Sequence, residues 1–150
     1  MTADIDVRRA GPADIEALAW LQQMARDAAV EQRGGPAWLD ETPPEHDWTA
    51  AVSRADRAVF VGTFDGVALG MLDLGIGPRI AAVRLAYVHP EARELGLGDT
   101  MMAHALDAAR AHGCVAFEGV ALPGDRETKN LYERAGITAR KIILSTRLDG

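Results

Sequence analysis

Cysteine is nearly absent, since Cys114 is the only one among 150 residues. An intrachain disulfide is therefore excluded, and a reducing, cytoplasmic setting is expected. Cys114 itself reads as a small apolar residue ahead of a strand. Long apolar runs are missing too: none approaches the ~20 residues of a membrane-spanning helix. The opening Met1-Thr2-Ala3-Asp4-Ile5-Asp6 is acidic, without a basic segment followed by an apolar one, so no secretory signal is expected. Positive charge is in deficit, with 16 Lys and Arg against 22 Asp and Glu and a net charge of −6. That speaks against nucleic acid as a partner, because phosphate backbones reward basic patches. Repeats, linkers and low-complexity tracts are absent. His89, His104 and His112 have no metal spacing with an acid or a cysteine, so no metal is expected.

What the chain does contain is ordinary for a globular protein, with 48% hydrophobic and 25% charged residues. Its length predicts one domain over residues 1–150 with a real core. Residues 5–9 read as a short strand. Gly11 and Pro12 suit the start of a helix, with Asp14 complementing the dipole in its first turn. Ile15, Leu18, Leu21, Ala25 and Ala28 recur at steps of three or four and predict one buried face, which Trp20 and Met24 broaden. Arg33-Gly34-Gly35-Pro36 should end that helix, and a short second helix is expected over 45–54. Asp65-Gly66, between Ala58–Val61 and Val67–Leu74, predicts a hairpin. A central strand over Ile80–Val88 follows, then a helix over 97–112 stopped by Gly113. Last come a strand over Val115–Ala121, a helix over 126–135 ended by Gly136, and a strand over Ala139–Leu148. This order predicts an α/β sandwich around a mixed sheet.

The most informative stretch is Arg93-Glu94-Leu95-Gly96-Leu97-Gly98, set between the apolar run Leu85-Ala86-Tyr87-Val88 and the helix that follows. A strand, a turn with one cation and two glycines, and a helix together create an anion site. The first amides of a helix have no partner within it and carry its partial positive charge. Gly96 and Gly98 allow a pyrophosphate to lie directly on the backbone, and either can take a positive φ. Arg93 adds a planar, permanent charge. The two familiar nucleotide motifs fail on residues. A phosphate loop of the NTPase type needs Gly-Lys-Ser/Thr, but Asp99-Thr100 follows Gly98. A dinucleotide fingerprint needs a third glycine where Met101 stands, and a turn directly off the strand where His89-Pro90-Glu91-Ala92 intervenes.

The stretch resembles instead the Gln/Arg-x-x-Gly-x-Gly/Ala loop with which the GNAT superfamily of N-acyltransferases binds acetyl-coenzyme A. Val88-His89-Pro90-Glu91 is similar to the strand end ahead of that loop. Asn130-Leu131-Tyr132-Glu133-Arg134-Ala135-Gly136-Ile137 resembles the family's tyrosine-containing helix and the glycine that ends it. Val7-Arg8-Arg9-Ala10-Gly11-Pro12-Ala13-Asp14-Ile15 resembles its opening strand and first helix, so the likeness runs from about residue 5 to about residue 148. The resemblance implies a mixed, mostly antiparallel central sheet flanked by helices and splayed between the fourth and fifth strands. It implies acetyl-CoA as co-substrate and acetyl transfer to an amine of a small molecule or peptide, by direct attack in a ternary complex. It also implies a homodimer, since family members are often dimers. Carried over position by position, acetyl-CoA lies against Tyr87, Val88, Arg93, Glu94, Leu95, Gly96, Leu97, Gly98, Asp99 and Thr100, and against Lys129 and Asn130. Arg93, Arg126 and Lys129 are the cations an acidic chain can offer a polyanion.

Acyl transfer from a thioester to an amine needs an unprotonated amine, donors for the oxyanion and a proton for the departing thiolate. The resemblance puts the general acid at Tyr132 and the oxyanion donor at the backbone N–H of Val88, where the family's strand bulges and splays. A phenol of pKa ~10 stays protonated at neutral pH and can serve a thiolate of ~8.5; the alternative for Tyr132 is a core ring. The base departs from the family pattern: residues 80–88 hold no carboxylate. Alternation puts Ala82, Arg84, Ala86 and Val88 on one face, so a cation sits where an acid is often found. Arg84 is either a holder of a carboxylate or phosphate on the acceptor or half of a cross-sheet ion pair, with Glu118 as a candidate partner. Glu118 is also the best remaining candidate base, a water-relayed base is compatible too, and Asp73 reads as structural. The acceptor pocket is expected under the 30–48 segment, where Trp38, His46 and Trp48 form an aromatic wall or pack the short helices. Two further readings stay open: an acyl-CoA-binding sensor or regulatory domain without turnover, and a purely structural domain, which would leave the Arg93–Gly98 loop unexplained.

Overall fold

Asp65 and Gly66 turn the chain through left-handed conformations, with φ of 48° and 84°. A two-residue hairpin turn demands that handedness, and Asp and Gly tolerate it. Either side of the turn, Arg57–Phe64 (β2) and Val67–Ile76 (β3) pair antiparallel. Ile5–Arg9 (β1) adds antiparallel to β2, and Ile80–Val88 (β4) antiparallel to β3. Ala116–Glu118 (β5) joins β4 in parallel, giving the order β1-β2-β3-β4-β5. The computed structural model describes residues 4–149. Met1, Thr2 and Ala3 of the acidic opening, and Gly150, lie outside the described residues.

Five helices flank this sheet among the described residues: Ile15–Ala29 (α1), Gly35–Glu41 (α2), Trp48–Ala51 (α3), Leu97–Ala111 (α4) and Arg126–Arg134 (α5). Alternation along β2 and β3 sends side chains to two cores. Ala58, Phe60, Leu72 and Leu74 pack with Met101, Met102 and Ala105 of α4 and with Leu131 and Tyr132 of α5. Val59, Val61 and Met71 pack with Leu18 and Leu21 of α1 and with Trp48. The result is a mostly antiparallel mixed sheet between two helical layers, splayed between β4 and β5.

The entry to α1 is held by charge. The Asp14 carboxylate, almost fully buried, accepts the Gly11 N–H at 2.7 Å and two bonds from the Arg8 guanidinium at 2.7 and 2.9 Å. The Arg8 hydrogen bonds hold this carboxyl below its usual value. Its stabilisation is therefore complete above the unfolded value of ~3.9 and is lost as pH falls through the lower folded one. Asp14→Ala should cost about 1–2 kcal/mol at neutral pH, the range for losing a helix cap. It should also flatten the acid limb of stability; urea midpoints at neutral pH and near pH 3 measure both, and an unchanged acid slope would reject the assignment.

Several expectations are corrected. Ala28 is exposed and Ala29 closes the buried face of α1, while Trp20 is 47% exposed and stacks on His89. The helix expected over 45–54 is confined to Trp48–Ala51, and a further short helix, not expected, forms ahead of it over Gly35–Glu41. Gly35–Glu41 starts with Pro36 in its first turn, and Trp48–Ala51 is capped by the Asp47 carboxylate on the Ala50 N–H. β5 is confined to residues 116–118. The strand expected over Ala139–Leu148 does not form: Ile142, Ile143, Leu144 and Leu148 are 82–94% exposed. A β-prone segment becomes a strand only where a neighbour takes its N–H and C=O groups, and there this one has none.

Candidate active site

Strands β4 and β5 are paired only over Ile80–Ala82 and Ala116–Glu118. Beyond Ala82, β4 runs on to Val88 with no strand paired on its β5 side among the described residues. On its other side the His89 N–H donates to the Leu69 carbonyl at 2.7 Å. Alternation therefore turns the Val88 N–H toward the open side, where a ligand oxygen can use it. The strands part because β4 carries a bulge: Asp73 faces Leu85 and Leu74 faces Val83, leaving Arg84 as the extra residue. An inserted residue bends and twists its strand. The bulge lies at Arg84, not at Val88 as the resemblance implies. It also overturns the face assignment. Ala86 and Val88 pack with the α4 core, Leu85 and Tyr87 with the α1 core, and Arg84 joins Leu85 on the α1 side.

The Arg93–Thr100 loop closes the mouth of this gap. Glu94 and Gly96 take left-handed conformations, φ 72° and 86°, and α4 starts at Leu97. Gly96 bears the positive φ; Gly98 lies within the helix. The N–H groups of Leu97, Gly98 and Asp99 find no acceptor among the described residues, whereas the Thr100 N–H and hydroxyl both bond to the Gly96 carbonyl, at 3.0 and 2.9 Å. Three free amides at a helix start, none shielded by a Gly98 side chain, fit a pyrophosphate. Leu95 and Leu97 put their side chains into the core and offer backbone only. Glu94, Asp99, Thr100, Lys129 and Asn130 are exposed around the loop. The nearby cations are partly spent: Arg93 lies 3.9 Å from Glu127, Lys129 3.7 Å from Glu133, and Arg134 bonds Asp99 at 2.9 Å.

Tyr132, 6% exposed, stands at the inner end of the gap. Its hydroxyl lies against Gly119, immediately after β5, so closely that a Cβ there would overlap it. Burial pushes the phenol well above its usual value and keeps it protonated. Burial also raises the half-buried Tyr87 phenol, partly offset by the charge of Arg93. Glu118 is exposed at the end of β5. Since Phe117 packs with the α4 core, alternation puts Glu118 on the face of Ala82 and Arg84. No ion pair joins Glu118 to Arg84 among the described residues; the partner of Arg84 is Asp73, at 3.5 Å.

A concavity opens on the α1 side of β4, lined by Gln22, Arg26, Trp38, Thr42, Pro43, Glu45, Asp73, Arg84 and Leu85. Trp38 and Arg84, far apart in sequence, both line it. Arg26 packs over the Trp38 ring and donates to the Thr42 and Leu39 carbonyls. Gln22 and Glu45 clamp α1 to the segment beyond α2, the amide donating to the Glu45 carbonyl at 3.0 Å and accepting the Glu45 N–H at 2.8 Å. Beneath lies Arg57, 8% exposed, bonded through two nitrogens to Asp73 at 3.1 and 2.6 Å and through the third to Glu45 at 2.6 Å. Trp48 is buried under that guanidinium, while His46 is exposed and takes no part in a wall. Among the described residues no three His, Cys, Asp or Glu side chains cluster as a metal site.

Sequence reasoning missed Gly119 and the Arg57–Asp73–Glu45 cluster. The first had a weak signal, a glycine where a strand stops. The second had a clearer one: Asp73 stands inside an apolar run of the hairpin, between Leu72 and Leu74, and Arg57 borders the other run, just before Ala58.

Residues 16–137 match the family described as the acetyltransferase (GNAT) family. No curated protein matches the chain significantly by sequence. Among solved structures, a single-site mutant of a Bacillus halodurans protein superposes with a TM-score of 0.79 at 20% identity, covering 95% of this chain and 99% of its own. The aminoglycoside N-acetyltransferase AAC(6')-Iy, in complex with the bisubstrate analogue CoA-S-monomethyl-acetylneamine, gives 0.70 at 18% identity over 96% and 99%. A transcriptional regulator from Bacillus halodurans C-125 gives 0.72 at 16% identity over 97% and 100%. At such identities the likeness is one of fold. No helix is long and apolar enough to cross a membrane among the described residues.

Proposed function

We propose, from the premise that this chain belongs to the GNAT acetyltransferase family, that it moves the acetyl group of acetyl-CoA onto an amine by direct attack in a ternary complex. The observation that carries this reading is the β4–β5 gap, with free helix-start amides at its mouth and the Tyr132 hydroxyl at its inner end. The Leu97, Gly98 and Asp99 amides hold the pyrophosphate, and Arg93 and Lys129 exchange their carboxylate partners for it. The Val88 N–H donates to the carbonyl oxygen as it becomes an oxyanion. Tyr132 donates a proton to the departing sulfur. With no carboxylate on β4, deprotonation of the amine falls to exposed Glu118 or to a water. A reducing, cytoplasmic setting fits the single cysteine.

Acetyl-CoA at a hundredfold its Kd should stabilise the protein by about 2.7 kcal/mol, seen as a raised Tm. Gly98→Val should remove the shift by covering the amides. Because a Cβ at Gly98 would already lie 3.2 Å from Leu131, the variant needs the control Gly98→Val with Leu131→Ala, which restores packing space and leaves the amides covered. A full shift in that double variant would reject the site.

The missing β4 carboxylate favours a second reading, an acyl-CoA-binding domain without turnover. Release of free CoA with a panel of amines separates the two. Binding without amine-dependent release would select the second.

A further inference from the structure

We propose that the concavity between α1, α2 and β4 takes an acceptor that carries a carboxylate, and that Arg84 is the residue that selects it. The proposal deepens the acyltransfer reading and rests on it only for the fate of the bound amine.

The concavity holds unspent positive charge. Two carboxylates line the concavity, Asp73 and Glu45, and both are already engaged by the buried Arg57: Asp73 at 3.1 and 2.6 Å and Glu45 at 2.6 Å. Neither is free for a cationic ligand. Of the two arginines in the lining, Arg26 donates to the Thr42 and Leu39 carbonyls and packs on Trp38. Arg84 is different. Its Nε lies 3.5 Å from an Asp73 oxygen that Arg57 holds at 2.6 Å, and its side chain makes no hydrogen bond among the described residues. Neither acid of α2 compensates it: Asp40 and Glu41 both lie outside the lining, and Asp40 is 3.7 Å from Arg147. Among the lining residues and the Arg57 beneath them, three guanidinium groups stand against two carboxylates. The bulge presents the Arg84 charge at the surface, since as the extra residue Arg84 is turned beside Leu85 rather than into the α4 core.

A guanidinium with its two terminal nitrogens unspent matches a carboxylate through paired hydrogen bonds. The Trp38 ring, in the same lining, suits the apolar spacer between carboxylate and amine. A polycationic amino sugar meets the opposite in this lining: both acids, Asp73 and Glu45, are engaged by Arg57, and Arg84 adds positive charge.

The test measures binding by calorimetry, without acetyl-CoA, using primary amines with a terminal carboxylate on spacers of increasing length and their neutral amides. On the parent protein the best carboxylate should bind about tenfold more tightly than its amide, the lower end of a charged hydrogen bond at a half-exposed site. Arg84→Gln should erase that preference while leaving the amides unchanged. Asp73 keeps Arg57 in this variant, so the fold is retained, as its unchanged Tm would verify. No carboxylate binding at millimolar concentration, equal weakening of acids and amides, or tighter binding of a polycationic aminoglycoside would each overturn the proposal. The acetyl-CoA thermal shift, measured in parallel on parent and variant, reports the acyltransfer reading separately. Its absence in the parent would reject that reading without touching the carboxylate result.

Discussion

Asp73→Ala should destabilise the protein by about 3–5 kcal/mol, the cost of removing one partner from a buried ion pair. In a chain of this length that is a fall of roughly 10 °C in Tm. The cause is less the lost attraction than what remains: Arg57, 8% exposed, would keep a single carboxylate, Glu45, and two buried nitrogens without acceptors. Replacing both residues, with Arg57→Met and Asp73→Leu, should return most of the loss, because a packed apolar pair carries no desolvation penalty. Denaturant melts of the single and double variants check both statements. A loss below about 1 kcal/mol for Asp73→Ala would mean that water already reaches Arg57, and would remove the reason for treating Asp73 as spent.

Tyr132→Phe should lower kcat by roughly 10- to 1000-fold and leave acetyl-CoA affinity nearly unchanged, the signature of a group that acts on the leaving sulfur alone. Phenylalanine keeps the ring packing and removes only the hydroxyl. Since burial raises the phenol, Tyr132 stays a proton donor above the pH at which an ordinary tyrosine ionises. The alkaline limb of the rate profile should therefore be the same in parent and variant. Gly119→Ala is an independent probe: its methyl would overlap the hydroxyl and push the ring away, so activity should drop comparably with the tyrosine still present. Steady-state rates with saturating acetyl-CoA decide the matter, and full activity of Tyr132→Phe would return Tyr132 to the core.

Most of the fold was legible because most of its signals are local. Asp65-Gly66 marks the hairpin because few other pairs tolerate its turn, and Gly113 and Gly136 mark helix ends, with φ of 77° and 81°. The Arg93–Thr100 loop was legible for the same reason: strand, glycines and helix start are consecutive. The short helices over 35–51 were blurred, since four- and seven-residue helices depend on packing against α1 more than on propensity.

The acceptor side of the site was not legible, and Arg84 shows why. Strict alternation puts it with Ala86 and Val88, and one inserted residue turns it to the other face. Nothing in residues 80–88 marks the insertion, because it arises from how β4 fits β3. The partner of Arg84 followed suit: the sequence offered Glu118, and the register delivered Asp73, already held by Arg57. Ala139–Leu148 has a strand's composition but no strand beside it. By itself, then, the sequence determined what consecutive residues can settle: the hairpin, the glycine-bearing loop that opens α4 and the placement of a tyrosine after it. Tertiary structure alone decided which charges neutralise one another and which one is left over, because ion pairing depends on distances across strands that no local pattern contains.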